Sequence, residues 1–281
     1  MKLSELRGGC VSLLAESGVE RPFYVTDLIV SRSIGVDRSL LIARNDDEIP
    51  EQRCEGIFAM ARRRIAREPL SYILGEAEFY GRPFKVGPGC LIPRPETELL
   101  AEAMLKLAPR NGRFADWCTG SGCVGITIVL ENPGLSGVGV DSSAEALAWA
   151  AKNTALHGAE GRFSLIQNSE PSEAPFDAGE FDFIAANPPY IPEDEMPALM
   201  ADVRCYEPDE ALNGGRDGVE LYEKFFEAFP LFIKNDGYLG VETAGDRQCE
   251  LLTKMAPGSF VLCDRIYDYG GKLRHLVWQK V

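Results

Sequence analysis

Only two histidines, His157 and His275, occur in the 281 residues, and the eight cysteines (Cys10, Cys54, Cys90, Cys118, Cys123, Cys205, Cys249, Cys263) include no CxxC pair. That set offers no familiar metal-ligand spacing, so no metal is expected and the thiols read as reduced and mostly buried. An excess of positive charge is also missing: 29 Lys and Arg stand against 43 Asp and Glu, a formal net charge of -14. Counterion release from a nucleic-acid backbone then offers little driving force, and no direct nucleic-acid binding is expected. The one basic cluster, Arg62-Arg63-Arg64 with Arg67, reads as a solvated helix face. No apolar run approaches the roughly 20 residues of a membrane span. The start Met1-Lys2-Leu3-Ser4-Glu5 does not open a signal-peptide apolar region, so the expectation is a cytoplasmic protein without a membrane partner.

What is present is ordinary for a globular chain, with 45% hydrophobic and 26% charged residues and enough length for one large domain and one small. Residues 1-70 read as a small helical module. Leu3, Leu6, Cys10, Leu13 and Leu14 recur at helical spacing, as do Ile57, Phe58, Ala61 and Ile65, with two shorter helices between, at Tyr24 to Ile34 and Asp37 to Ala43. Lacking any cofactor signature, this module is expected to serve substrate recognition or packing. From Ser71 to about Leu91 the aromatic and β-branched texture around Tyr80-Gly81-Arg82-Pro83 predicts a β-hairpin linker. From residue 92 to 281 strands and helices alternate, the pattern of a doubly wound α/β sheet that is mainly parallel. Seven strands are predicted: Phe114 to Trp117, Ser136 to Val140, Phe163 to Gln167, Phe181 to Ala186, Tyr238 to Thr243, Phe260 to Tyr267 and Arg274 to Gln279.

Between the first of these strands and its helix lies Cys118-Thr119-Gly120-Ser121-Gly122-Cys123-Val124-Gly125, which satisfies G-x-G-x-x-G, and Asp141 follows Gly120 by 141 − 120 = 21 positions. The spacing alone permits a nicotinamide dinucleotide. Asp116 at the mouth of the same loop repels a pyrophosphate and welcomes the ammonium and sulfonium of S-adenosylmethionine, with Asp141 placed to accept from ribose hydroxyls. Asn187-Pro188-Pro189-Tyr190 follows a later buried strand. The prolines stiffen it, so Asn187 Oδ1 and the Pro188 carbonyl form a fixed pair of acceptors suited to an NH2 group, with the Tyr190 ring for a planar partner. Arg94, Pro95, Glu96 and Thr97, upstream of the loop, serve either as a wall of the site or only as a helix entry capped by Glu96 or Thr97.

These residues resemble a known family. Pro69 to Gly75, Glu76-Ala77-Glu78-Phe79-Tyr80-Gly81, Ile92-Pro93-Arg94-Pro95-Glu96-Thr97-Glu98, Asn187-Pro188-Pro189-Tyr190 and Tyr206-Glu207-Pro208 through Gly218 look like the peptide chain release factor N5-glutamine methyltransferases, over nearly the whole chain. The resemblance implies a Rossmann-like S-adenosylmethionine-dependent fold and S-adenosylhomocysteine as the spent cofactor. It implies a release factor as protein partner and methylation of the glutamine of its Gly-Gly-Gln loop. It places Asp116, Cys118, Thr119, Gly120, Ser121, Gly122, Asp141, Asn168, Ser169 and Asn187 around the donor. Two departures stand out: Cys118 occupies a place where the family usually has glycine, and Asn168-Ser169 a place where an acid and a bulky residue commonly flank adenine. The rival readings are a ribosomal-protein glutamine methyltransferase, an adenine-N6 nucleic-acid methyltransferase that flips its base, an NAD-linked enzyme, and a binding module without catalysis.

Overall fold

The computed structural model describes residues 1–281 and divides the chain into two compact units. The first comprises Met1–Glu76 together with Ala201–Tyr206. Its helices are α1 (Leu3–Glu16), α2 (Pro22–Ile34), α3 (Glu51–Ile65) and the short α4 (Leu70–Leu74). Pro22 opens α2 and Gly35, at φ 69°, closes it, the usual division of labour between a residue with fixed φ and one free to turn left-handed. Leu3, Leu6, Cys10 and Leu14 of α1 face Ile29 and Val30 of α2 and Ile57 and Ala61 of α3, so the predicted stripes are this unit's core. The returning segment α8 (Ala201–Arg204) is tied to it by an Arg64–Asp202 ion pair of 2.5 Å and by the Tyr206 hydroxyl, which donates to the Ala66 carbonyl.

Two local expectations change. Residues 71–74, read as part of the hairpin, belong to α4, because Pro69 and Gly75 punctuate a single helical turn whose apolar side is buried through Tyr72 and Ile73. The predicted helix over Asp37 to Ala43 shrinks to one 3-10 turn, Arg38–Leu40, where the Asp37 carboxylate accepts from the Ser39 amide and hydroxyl instead of leaving the backbone to continue.

The second unit, Ala77–Met200 with Glu207–Val281, holds the hairpin β1 (Glu76–Phe79) and β2 (Arg82–Lys85), apart from Glu76 at its boundary, and a seven-stranded sheet. In chain order the sheet strands are β3 (Gly112–Trp117), β4 (Leu135–Asp141), β5 (Phe163–Gln167), β6 (Phe181–Ala186), β7 (Ile233–Glu242), β8 (Phe260–Tyr267) and β9 (Leu273–Lys280). Their spatial order is β5-β4-β3-β6-β7-β9-β8, parallel from β5 to β7 and antiparallel at β9 and β8. Strand β7 begins five residues before its predicted start, at Ile233. The helices α5 (Glu98–Leu107), α6 (Cys123–Glu131), α7 (Ala144–Leu156), α9 (Glu220–Phe232) and α10 (Asp246–Met255) cover the sheet. One face packs on the aromatics of α9, Phe225 and Phe229 against Trp117, and the other on α5 and α6 with Phe114, Phe163 and Phe183 stacked.

The order reverses beside β3, whose neighbours are β4 and β6, so the crevice used by open α/β sheets lies at the carboxyl ends of these strands. Helix α6 enters that crevice with no clearance. A Cβ on Gly125 would lie 2.3 Å from Phe163 Cε2. Because that ring is itself buried and stacked, Gly125→Ala is expected to lower unfolding stability by ~1–3 kcal/mol, the usual cost of overpacking, read as a lower urea midpoint with unchanged slope.

Candidate functional site

Parallel pairing sets Asp116 beside Gly139 of β4 and Ala185 of β6, and Trp117 beside Ala186, so the glycine loop and Asn187 leave the sheet at the same level. Between them opens a cleft with about 820 Å³ of atom-free space. Of the residues expected at a site, Arg94, Thr97, Asp116, Cys118, Thr119, Gly120, Ser121, Asp141, Asn187 and Pro189 line it. Gly122, Pro95, Glu96, Pro188, Tyr190, Asn168 and Ser169 do not. Pro95 and Ser169 are exposed, while Pro188 is buried. Asn168 donates its backbone N–H to the Asp141 carbonyl at 2.9 Å and keeps a buried Oδ1 without a partner.

The glycine loop is held by backbone hydrogen bonds. Thr119 N–H donates to the Val140 carbonyl at 3.0 Å, and Gly122 N–H to the Thr119 carbonyl at 2.8 Å. Cys118 has φ 59° and Gly120 φ 56°, both left-handed. The departure at Cys118 therefore falls where the backbone takes the conformation that favours glycine, and a side chain there costs ~1–2 kcal/mol. The surrounding bonds impose the turn regardless of residue type.

Both acids are structural as well as exposed to the cleft. Asp116 Oδ2 accepts from the Thr119 hydroxyl at 2.6 Å and from Gly125 N–H at 2.9 Å, and Oδ1 receives no hydrogen bond from the chain. Burial raises its pKa to about 7, against the lowering effect of those two bonds, and the negative Asp141 nearby adds to the rise. Asp141 Oδ2 accepts from Gly120 N–H at 2.8 Å and Oδ1 from Ser143 N–H at 3.0 Å. Its pKa too is raised by burial, with the backbone bonds opposing. Each Asp141 oxygen keeps a lone pair for a ligand hydroxyl.

The clamp is oriented from two sides. Asn187 Nδ2 donates to Thr97 Oγ1 at 3.3 Å, which turns Oδ1 outward as an unused acceptor. Thr97 is buried, and its side chain makes no helix cap; its hydroxyl serves Asn187 instead. Behind the clamp, the Tyr190 hydroxyl donates to Glu242 Oε1 at 3.1 Å, and Glu242 Oε2 lies 3.4 Å from His275 Nε2. Burial and the carboxylate of Glu242 push the Tyr190 phenol well above its usual range. The structure thus places Tyr190 as an anchor of the clamp. Gln248 supports the same turn: its Nε2 donates to the carbonyls of Tyr190 at 3.1 Å and Gly218 at 2.6 Å. Residues 212–215 complete it, with Gly214 N–H donating to Ile191 O at 2.8 Å.

Arg94 owes its place to a residue not singled out individually as a site residue. Glu207, buried, accepts from Arg94 Nη2 at 2.6 Å and from Ile92 N–H at 3.0 Å, fixing the wall that carries Leu91 and Pro93 into the cleft. Its signal was the Tyr-Glu-Pro run. Glu210 and Ala211 of the following turn also line the cleft, and nothing local marked them.

Residues 5–75 match the family model described as PrmC N-terminal domain, and residues 95–204 match that described as Methyltransferase small domain. A release factor glutamine methyltransferase of Geobacter sulfurreducens is 38% identical, over 92% of this chain and 89% of that protein. Proteins of the same name from Agrobacterium fabrum and Clostridium acetobutylicum are 33% and 34% identical, the first over 95% of this chain and 93% of its own, the second over 96% and 95%. The chain belongs to the release factor glutamine methyltransferase family. The crystal structure of a ribosomal protein L11 methylase from Lactobacillus delbrueckii subsp. bulgaricus shares the fold, with a TM-score of 0.51 at 19% identity over 73% of this chain and 89% of that one.

S-adenosylmethionine is the cofactor of such an enzyme, and the cleft of this family member fits it. A buried carboxylate with a free oxygen suits a cation, a second carboxylate with spare lone pairs suits a diol, and a left-handed loop lets backbone approach closely. The titration of Asp116 has a measurable consequence. Raised from 3.8 to about 7, it gives the fold a stabilising proton that is lost as pH rises through 7, while a cationic ligand favours the ionised form. Affinity for S-adenosylmethionine should therefore rise from pH 5.5 to 7.5, with proton release on binding seen by calorimetry in buffers of different ionisation enthalpy, and Asp116→Asn should flatten the profile. Thr97→Val should lower kcat by ~3–10-fold, the worth of one hydrogen bond, with donor affinity unchanged, and Thr97→Ser should restore it.

Proposed function

We propose that this chain transfers a methyl group from S-adenosylmethionine to the side-chain amide nitrogen of the glutamine in the Gly-Gly-Gln loop of peptide chain release factors, in the cytoplasm. The observation that carries the reading is the Asn187 carboxamide. Thr97 engages its nitrogen, and its oxygen stands free at the edge of the cleft that Asp116 and Asp141 line. The family relatives share the name release factor glutamine methyltransferase along nearly their whole lengths, which favours that substrate over a ribosomal protein or an adenine base.

An amide nitrogen is a weak nucleophile because its lone pair is shared with the carbonyl. Asn187 Oδ1 accepts one amide hydrogen and the rigid Pro188 carbonyl the other, which draws the nitrogen toward a pyramidal shape and aims its lone pair. Pro189 closes the turn against the cleft, and Tyr190, tied to Glu242, keeps the acceptors from swinging away. The bound donor supplies an electrophilic methyl on a positively charged sulfur, which leaves as a neutral thioether. Asp116 and Asp141 hold the donor's charged and hydroxyl-bearing parts, and the amide proton departs to solvent. Positioning is the main contribution of the chain, so the loss on mutation should appear in turnover.

Incubation of a release factor with this protein and donor should add 14 Da, about the mass of one methylene, at a single glutamine by mass spectrometry. Asn187→Ala should keep donor affinity within several-fold and lose about 100-fold or more in kcat, as removal of one oriented polar group at a reacting centre does elsewhere; turnover equal to the wild type would refute the clamp.

A further inference from the structure

Asn153 of α7 is fully buried, and its carboxamide bonds to backbone groups of two segments distant in sequence. Oδ1 accepts from Lys85 N–H at 2.6 Å, while Nδ2 donates to the Lys85 carbonyl at 3.0 Å and to the Ser121 carbonyl at 2.8 Å. Both amide hydrogens are thereby used. One turn earlier on the same face, Trp149 Nε1 donates to the Pro88 carbonyl at 3.1 Å, and one turn later His157 Nε2 bonds the Pro83 carbonyl at 2.9 Å. The spacing i, i+4, i+8 makes a ladder that lays residues 83–89 along α7 as a strap.

Clearance requires glycine in that strap. A Cβ on Gly87 would lie 2.5 Å from Trp149 Cζ2, and one on Gly89, whose φ is 79°, 2.0 Å from Glu145 Oε2. Gly89 and Leu91 then line the cleft on one side, and Ser121 of the glycine loop lines it too. Asn153 is itself not part of the lining, yet it bonds to the chain leading into one wall and to the loop forming the other.

We infer that Asn153 is a positioning residue for the methyl-donor cleft: it locks the strap to the glycine loop, so that donor binding is felt by both walls as one body. The inference rests on the cleft being the donor site. An apolar side chain of similar volume would fill the same space but make none of these three hydrogen bonds, leaving the walls uncoupled.

The test uses the full chain with Asn153→Ala, Asn153→Asp and Trp149→Phe, the last removing the indole donor together with the far part of the ring that lies beside Gly87. Asn153→Asp keeps the size and one acceptor but loses both donors. The Kd and KM for S-adenosylmethionine should rise about tenfold in the Asn153 variants and about threefold in Trp149→Phe, as expected for lost buried hydrogen bonds, with kcat on a release factor within about threefold of wild type. Hydrogen exchange supplies a readout that a purely structural role would not move. In the wild type the donor should slow exchange in both 85–91 and 120–123, and in the Asn153 variants only in 120–123. If Asn153→Ala does not fold, Asn153→Asp and Trp149→Phe decide. Unchanged donor affinity in them, or equal donor protection of both segments, overturns the inference. Asp141→Ala separates the two readings: weakened donor binding there with none in the Asn153 and Trp149 variants rejects the ladder alone, and no loss at Asp141 rejects the donor site beneath it.

Discussion

The parallel pairing of β3 with β6, with Trp117 opposite Ala186, is the constraint on which the site depends. It puts the ends of two strands, 69 residues apart as Trp117 and Ala186, at one height on one edge of the sheet. One strand ends in Asp116 and the glycine loop, which line the cleft, and the other in a proline-stiffened acceptor. Had the register slipped by one residue, Asp116 would have passed to the other face of the sheet, because side chains alternate along a strand.

Around that pairing, the polar groups do double duty. Asp116 anchors the first turn of α6 through Gly125 N–H and keeps one oxygen for the cleft, at the cost of a buried carboxylate whose pKa rises to about 7. Asp141 ties down Gly120 and Ser143 in the same way. Strain at Cys118 belongs to this arrangement. A left-handed non-glycine residue persists where the neighbours over-determine the backbone, and here Thr119, Gly120 and Gly122 are each held by a hydrogen bond. The clamp follows a different principle: prolines limit its backbone, and side chains from distant elements, Thr97, Glu242 and Gln248, set its orientation.

The alternation of elements was legible because buried parallel strands are short, mostly apolar runs, and 181–186 matched to the residue. Boundaries failed where local chemistry competes with periodicity. At Asp37 a side-chain turn replaced a helix, and at Pro69 and Gly75 a single helical turn replaced the start of a strand. Around the cleft, Asp116, Asp141 and Asn187 could be named because each sits at the carboxyl end of a recognisable strand. Glu207 acts on partners 113 and 115 residues away and Asn153 on partners 68 and 32 residues away, so spacing could not reveal them.

The linear order of residues by itself determined the class of fold, the glycine loop with its two acids, and the stiff acceptor after β6, since each depends on short-range periodicity, turn chemistry or φ restriction. Tertiary structure alone decided which oxygen of Asp116 is left free, that Thr97 orients Asn187, that Tyr190 points back into the core, and that residues 83–89 lie strapped along α7. Those outcomes depend on which hydrogen-bond partners long-range packing brings within about 3 Å, a distance that only the folded chain supplies.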